Sequence, residues 1–322
     1  MRAVYIERYG GSEELVYGEL DDPVPGKNEV LIRVAAASVN PVDWKIREGR
    51  LKIVTGKKFP KIMGVELSGT VIATGEEVDG LAAGDRVFAG LSHQGGAYAE
   101  LVAVDRGKVS RIPDELPFIE ASTMAVAGVT ALQAFTLHYN LQPGDEVLIN
   151  GGSGGLGTYA IQIAKVLGAR VTAVCSERNV ELVKRLGADE VIDYQQEDFR
   201  SRKNAFNIII DAASNASFSD DKQCLKRGGM LINLNLSPGG LLVGVWSRLF
   251  LSRKMKMILL KNRPADVQWM IDHIAEGKIR VVIDRTYSLE EAKEAQDYSQ
   301  TGRARGKIVL VVDDKEADKN TI

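Results

Sequence analysis

The sequence predicts an α/β chain in two parts, a small β-rich lobe followed by a doubly wound parallel sheet. Three observations predict it. Asn150 to Gly157 is a glycine run set between an apolar strand and a helical repeat; short alternating strands fill the first 120 residues; helices and strands alternate after that. At 322 residues the chain is long enough for about two domains.

In the N-terminal part, Val30, Ile32 and Val34 alternate with polar neighbours, and strand-like runs follow at 63–73, 86–89 and 97–104. Turn clusters at Asp22 to Gly26, Ala83 to Asp85 and Gly95-Gly96 separate them. From about Glu120 the pattern changes. Strands are expected at 146–149, 170–175, 190–192, 206–211 and 230–236, with helices at 159–167, 177–186 and 218–225 between them. Such alternation implies right-handed βαβ units and a sheet covered on both faces. Helices over 265–276 and 289–298 and a strand over 307–312 close the chain, and the last ten residues form a polar tail. Periodicity alone leaves open whether this last part returns to the first lobe.

Within the glycine run, Gly152, Gly154 and Gly157 satisfy G-x-G-x-x-G. After a strand and before a helix, this pattern lets the backbone turn sharply, approach a pyrophosphate and present free N–H groups at the helix N-terminus. Ser153, Gly155 and Leu156 belong to the same loop, so a dinucleotide is the expected ligand. A P-loop is excluded, because no G-x-x-x-x-G-K-[ST] occurs.

Composition narrows the class. The chain is 45% hydrophobic and 26% charged, with a formal charge of -2, so nothing in its overall balance recruits nucleic acid. Cys175 and Cys224 are the only cysteines, too few for a disulfide framework, and they point to a reducing cytoplasm. The N-terminus lacks a signal-peptide pattern. The most apolar stretch, 241–251, is interrupted by Arg248 and falls short of a bilayer span.

With these elements placed, the chain resembles the medium-chain dehydrogenase/reductase superfamily, and within it the zinc-free quinone oxidoreductases, including the chloroplast-envelope type. The segments that carry the resemblance are SVNPVDWK from Ser38, MGVELSGTV from Met63, GDRV from Gly84, GGAYAE from Gly95 and AGVTA from Ala127, followed by PGDEVLINGGSGGLG, LGADEVIDY and GKIVL. Together they span nearly the whole chain. The resemblance implies a discontinuous GroES-like catalytic lobe over 1–121 and 266–322, with a Rossmann lobe over 122–265 and the cofactor in the cleft. It also implies a small-molecule quinone, enal or enone as substrate, and a homodimer.

Zinc-dependent members place a metal-binding Cys where this chain has Asn40, and Gly-His-Glu where it has Gly64-Val65-Glu66. Valine cannot ligate zinc and asparagine does so poorly, and His93, His138 and His273 are scattered, so no metal is expected. Without a metal, a conjugated acceptor is the easier hydride target, because its developing oxyanion needs only a hydrogen-bond donor. Asn40 is the first choice for positioning substrate or nicotinamide, Asp43 for orienting its surroundings, and Lys45 for stabilising an oxyanion or relaying a proton. The local alternative is an Asn40-Pro41 turn with Asp43 capping a helix that begins near Trp44.

NADPH is favoured over NADH. Ser176 and Arg178 follow the second strand and can hydrogen-bond and neutralise a phosphate, and Tyr194 matches a family tyrosine beside the adenosine phosphate. The competing reading makes Glu177 an acidic ribose ligand. Thr130 matches a position near the nicotinamide, Leu234 closes the next strand toward the cofactor, and Arg303 and Lys307 flank the final strand within reach of it. An enoyl-thioester reductase is the alternative activity, weakened because Gly49-Arg50-Leu51 lacks the tyrosine of the family's Gly-x-Tyr. A low-turnover NADPH-binding regulatory or membrane-associated protein is the alternative from another class. Residues 241–257 mix apolar and basic side chains; a crossover helix leading to a sixth strand and a dimer edge is preferred there over a lid or an interfacial membrane segment.

Overall fold

The structure, a computed structural model, describes all residues except 92–94, 214, 216, 235–237, 259, 262 and 314–322, and the side chains of Pro238, Leu241 and Arg248. The chain divides into two compact units, one of residues 1–126, 262–271 and 283–322, the other of residues 127–261 and 272–282.

The first unit begins with β1 (Arg2–Ile6), β2 (Val16–Glu19) and the long β3 (Glu29–Val39), followed by α1 (Pro41–Arg47), α2 (Lys52–Thr55) and β4 (Lys61–Ile62). Then come β5 (Glu66–Thr74), β6 (Arg86–Gly90), β7 (Leu101–Asp105), β8 (Val109–Arg111) and α3 (Phe118–Ala121). The alternation in β3 puts Val30, Ile32 and Val34 into a core shared with Leu67, Val71, Val87 and Val104. Burial of that face sets the register, since a one-residue slip would turn every apolar side chain to water.

The second unit opens with α4 (Thr130–Gln133) between two π-helical turns, Met124–Val129 and Ala134–Tyr139. It continues with β9 (Glu146–Asn150), α5 (Gly155–Val166), β10 (Arg170–Cys175), α6 (Val180–Arg185), β11 (Glu190–Asp193), β12 (Phe206–Asp211) and α7 (Phe218–Asp221). β13 (Leu225–Asn233), α8 (Pro238–Phe250) and β14 (Lys254–Met257) complete its sheet. All five pairings are parallel, in the order β11-β10-β9-β12-β13-β14. The strand order reverses between β9 and β12, the switch point where open α/β sheets bind ligands beyond the strands' carboxyl ends.

The C-terminal part, α9 (Pro264–Ala275), β15 (Ile283–Ser288), α10 (Ala292–Gln300) and β16 (Lys307–Val311), answers the question that periodicity left open. β16 pairs antiparallel with β3, Ile308 opposite Val39 and Val311 opposite Ala36, so the chain does return to the first unit's sheet. Strand β15, which has little apolar alternation, was not foreseen; it rides parallel to β16 at the sheet edge. Arg47, buried in α1, donates to Gln296 and Gln300 at 3.1 Å each and pins α10 in place.

Three expectations need correcting. Residues 272–282 fall in the second unit rather than the first, where the Gln162 amide exchanges two hydrogen bonds with the Arg280 backbone, at 2.9 and 2.7 Å. The helix expected over 177–186 is a 3-10 turn at Glu177–Asn179 and then α6, because Asn179 turns its side chain inward. The strand expected over 230–236 starts earlier, at Leu225, and ends at Asn233; residues 235 and 236 lie outside the described residues.

Candidate active site

In the first unit, α1 starts at Pro41, with Asn40 as its N-cap residue and Asp43 in its first turn, three residues earlier than expected. Asp43 therefore caps from inside: its Oδ2 accepts the Asn40 N–H at 2.7 Å and the Tyr98 hydroxyl at 3.0 Å.

The Asn40 side chain is wholly committed. Its Nδ2 donates to Ser38 Oγ at 3.0 Å and to Glu66 Oε1 at 2.9 Å, while Oδ1 accepts from Lys307 Nζ at 2.6 Å. Lys307, expected to reach the cofactor, instead forms a 3.0 Å ion pair with Glu66, and the two side chains are 3% and 0% exposed. Glu66 also accepts the Ser38 hydroxyl on Oε1 and the Val126 N–H on Oε2 at 2.8 Å. A buried charge of either sign needs such a complete set of partners.

Asp43 and Tyr98 lie beneath this cluster. Burial pushes the Asp43 carboxyl from 3.8 up to about 7, against the hydrogen bonds from Asn40 and Tyr98; Glu66 pushes the same way and Lys307 opposes it. Its Oδ1 has no partner among the described residues. Burial, then Asp43, drives the Tyr98 phenol well above 10. Because the folded pKa of Asp43 exceeds the unfolded value, the native state holds a proton between about pH 4 and 7 that the unfolded chain has released. Stability through this group is present at low pH and falls as pH rises through that window. Asp43→Asn is expected to flatten the window, and urea midpoints at pH 5 and pH 8 check it: a wild-type change no larger than the variant's contradicts the assignment. Lys45 is half-buried, its ammonium 5.5 Å from the Trp44 ring centre, and burial followed by Arg50 lowers its pKa, which eases proton donation.

In the second unit the glycine loop follows β9 as expected. Gly151 (φ +83°) and Gly152 both donate to Val174 O, at 3.1 and 2.9 Å, which folds the loop back over β10. A Cβ on Gly157 would lie 2.2 Å from Gly151 O and 2.8 Å from Gly152, whereas one on Gly154 would meet nothing closer than 3.5 Å. Gly157 is thus required by the chain's own packing, and Gly154 is small on a side the protein leaves open. Gly155, Leu156 and Gly157 head α5, and their N–H groups lie in its first turn.

Ser176 leaves β10 and Tyr194 leaves β11, adjacent strands whose ends pair Cys175 with Asp193. Arg178 is exposed and so is Tyr194, whereas Ser153 and Ser176 are partly buried. Sequence reasoning missed what joins them: the buried Asn179 donates from Nδ2 to Ser153 Oγ at 2.9 Å and to Ser176 Oγ at 3.3 Å. It also missed Asn150, which ends β9 and donates to Asp211 Oδ1 at 3.0 Å at the switch point. Thr130 is buried at the start of α4, and Leu234 follows β13 half-buried. Arg303 is exposed and His93 lies outside the described residues. Among the described residues no three His, Cys, Asp or Glu side chains gather as a metal-binding group.

The signal for the Glu66–Lys307 pair was present. Each charge stands at the head of an apolar strand, Glu66 before Leu67 and Lys307 before Ile308, where only a partner of opposite sign makes burial tolerable.

A six-stranded parallel sheet of this order with a glycine turn after its central strand, in one chain with a mixed seven-stranded sheet, defines the class of two-domain dehydrogenases and reductases. The family model described as alcohol dehydrogenase GroES-like domain matches residues 26–114, and that described as zinc-binding dehydrogenase matches residues 186–310. A chloroplastic quinone-oxidoreductase of Triphysaria versicolor is 38% identical over 96% of this chain and 98% of its own length. The solved quinone oxidoreductase from Coxiella burnetii superposes with a TM-score of 0.90 at 31% identity, over 97% of this chain and 99% of that one. A mycobacterial protein solved in complex with NADPH gives a TM-score of 0.83 at 25% identity, over 97% of this chain and all of that one. The chain belongs to the quinone oxidoreductase family of the medium-chain dehydrogenase/reductase superfamily, and it is an oxidoreductase.

The description of the second model raises zinc, and the donor set here does not fit it. Asn40 Oδ1 and Glu66 Oε1 already face a cation, the Lys307 ammonium, and Val65 between them offers no donor atom.

Proposed function

We propose that this protein is a zinc-independent, NADPH-dependent reductase of quinones and α,β-unsaturated carbonyls. The observation that carries the reading is the Asn40–Glu66–Lys307 cluster. A lysine ammonium satisfies the oxygens that relatives would offer to a Lewis acid, so the acceptor must be one whose charge delocalises without a metal. In a quinone or an enone, hydride adds to a conjugated carbon and the electron pair moves to oxygen, where a proton completes the reduction.

NADPH, when bound, supplies the hydride. The loop from Gly152 through Gly157 and the N-terminus of α5 hold its pyrophosphate, with Thr130 and Leu234 toward the nicotinamide. Ser153, Ser176, Arg178 and Tyr194 form the adenosine-phosphate end, with Asn179 fixing both serines. The NADPH-bound mycobacterial relative supports this choice. Lys45, with its lowered pKa, is the proton donor. Asn40 acts through Lys307 and Glu66 rather than on substrate directly, because every polar atom of its amide is taken.

Burial lifts the Cys175 thiol to about 11 and raises that of Cys224 too, so both stay protonated and inert, as suits the reducing cytoplasm we assign. No helix among the described residues is long and apolar enough to cross a membrane.

The test is oxidation of NADPH and NADH against a panel of benzoquinones, naphthoquinones, enals, enones and an enoyl-thioester. Turnover of quinones or enones with kcat/KM at least about tenfold higher for NADPH is expected, one charge-assisted phosphate contact being worth that much. A preference for NADH removes the phosphate assignment. Tight NADPH binding without turnover of any acceptor moves the protein to the regulatory class.

A further inference from the structure

Helix α8 is built inside out. Its inward side is small: Gly244 approaches Met255 O, and the buried Ser247 hydroxyl donates to Gly244 O and accepts the Met255 N–H at 3.0 Å. Its outward side carries Leu242, Val245, Trp246, Leu249 and Phe250, at i, i+3, i+4, i+7 and i+8, with Leu242, Leu249 and Phe250 exposed by 73%, 70% and 70%. The Trp246 and Phe250 rings lie 6.3 Å apart on that side. Five large apolar side chains in one stripe are an unpaid hydrophobic surface, which marks an interaction site.

Charge says what covers it. From Lys222 to Ala265 the sequence has no Asp or Glu and nine Lys or Arg: Lys222, Lys226, Arg227, Arg248, Arg253, Lys254, Lys256, Lys261 and Arg263. The whole chain nevertheless has a formal charge of -2, so the basic residues are concentrated around the apolar helix. A second copy is the poorer occupant. The free edge beside α8 is β14, and a partner strand there would set Lys254 and Lys256 against their own kind.

We propose that α8, with the basic residues that follow it on β14, is a peripheral docking element for a bilayer of anionic phospholipids. Trp246, Leu249 and Phe250 enter the headgroup boundary and Lys254 and Lys256 meet the lipid phosphates. The inference stands on the placement of α8 alone and holds whichever cofactor the protein uses. It also brings the enzyme to the phase in which long-chain quinones dissolve.

The purified protein is sedimented with vesicles of phosphatidylcholine and of an equimolar mixture with phosphatidylglycerol. Binding to the anionic vesicles is expected, lost at 1 M salt, and weakened by about tenfold or more in Leu249→Ser/Phe250→Ser, whose changes lie on the exposed face and leave the thermal midpoint unchanged. Trp246→Phe serves as the second variant: it should remove the blue shift of tryptophan emission on vesicles that Trp44 and Trp269 leave unaffected. No sedimentation with anionic vesicles overturns the proposal, as does binding that the double variant leaves intact. A concentration-dependent dimer abolished by the double variant also overturns it and gives the face to a second copy.

Discussion

Lys307→Met is expected to destabilise the protein by about 3–5 kcal/mol, a drop in thermal midpoint on the order of 10 °C. The substitution keeps the length of the side chain and removes its charge. Glu66 would then be an unpaired carboxylate at 0% exposure, and Asn40 Oδ1 would lose the donor that stands 2.6 Å away. Glu66→Gln alone should cost a comparable amount by stranding the ammonium. The double variant Glu66→Gln/Lys307→Met should recover much of the loss, since a neutral amide beside a thioether carries no desolvated charge. Denaturant midpoints of the four proteins complete the cycle. Single variants within about 1 kcal/mol of wild type would show that the cluster does not hold the strand pair β3–β16 together, and the proposed role of Asn40 would fall with it.

The second large effect separates two glycines of one motif. Gly157→Ala should lower both stability and NADPH affinity, because its methyl would overlap the Gly151 carbonyl at 2.2 Å and push the start of α5 off the turn. Overpacking of this kind costs about 1–3 kcal/mol, and the displaced N–H groups should weaken binding by roughly a hundredfold. Gly154→Ala meets only an ordinary 3.5 Å contact inside the protein. It should melt like wild type and yet bind NADPH at least about tenfold more weakly, the methyl standing where the backbone must approach the phosphates. Calorimetric titration beside thermal melts distinguishes the two. Wild-type affinity in Gly154→Ala would place the pyrophosphate elsewhere.

The parts of the site that could be read in advance are those in which function follows local geometry. Gly152 to Gly157 lies between a strand and a helix that neighbouring residues specify, so the loop was legible in full. Ser176 and Tyr194 were found because strand ends in a parallel sheet fall at predictable intervals. Asn179 was not found: its role depends on the 3-10 turn that rotates it inward to Ser153, 26 residues earlier in sequence. Asn40 was singled out as the right residue with the wrong partner, since nothing near it in sequence announces a lysine 267 positions away. The apolar stretch at 241–251 was read as a crossover helix, which α8 is; that its large side chains face outward emerged only when Gly244 and Ser247 were seen to occupy the inner side.

Amino-acid order alone therefore determined the two-part architecture, the dinucleotide loop and the loss of the metal ligands, because each rests on interactions between residues close in the chain or on side chains that lack the needed donor atom. Only the tertiary structure decided that β16 closes the first unit's sheet, that Lys307 supplies the cation facing Asn40 and Glu66, and that α8 presents its apolar stripe outward. Those outcomes depend on which buried surfaces and charges find each other across hundreds of residues, a choice made by burial and charge pairing rather than by local pattern.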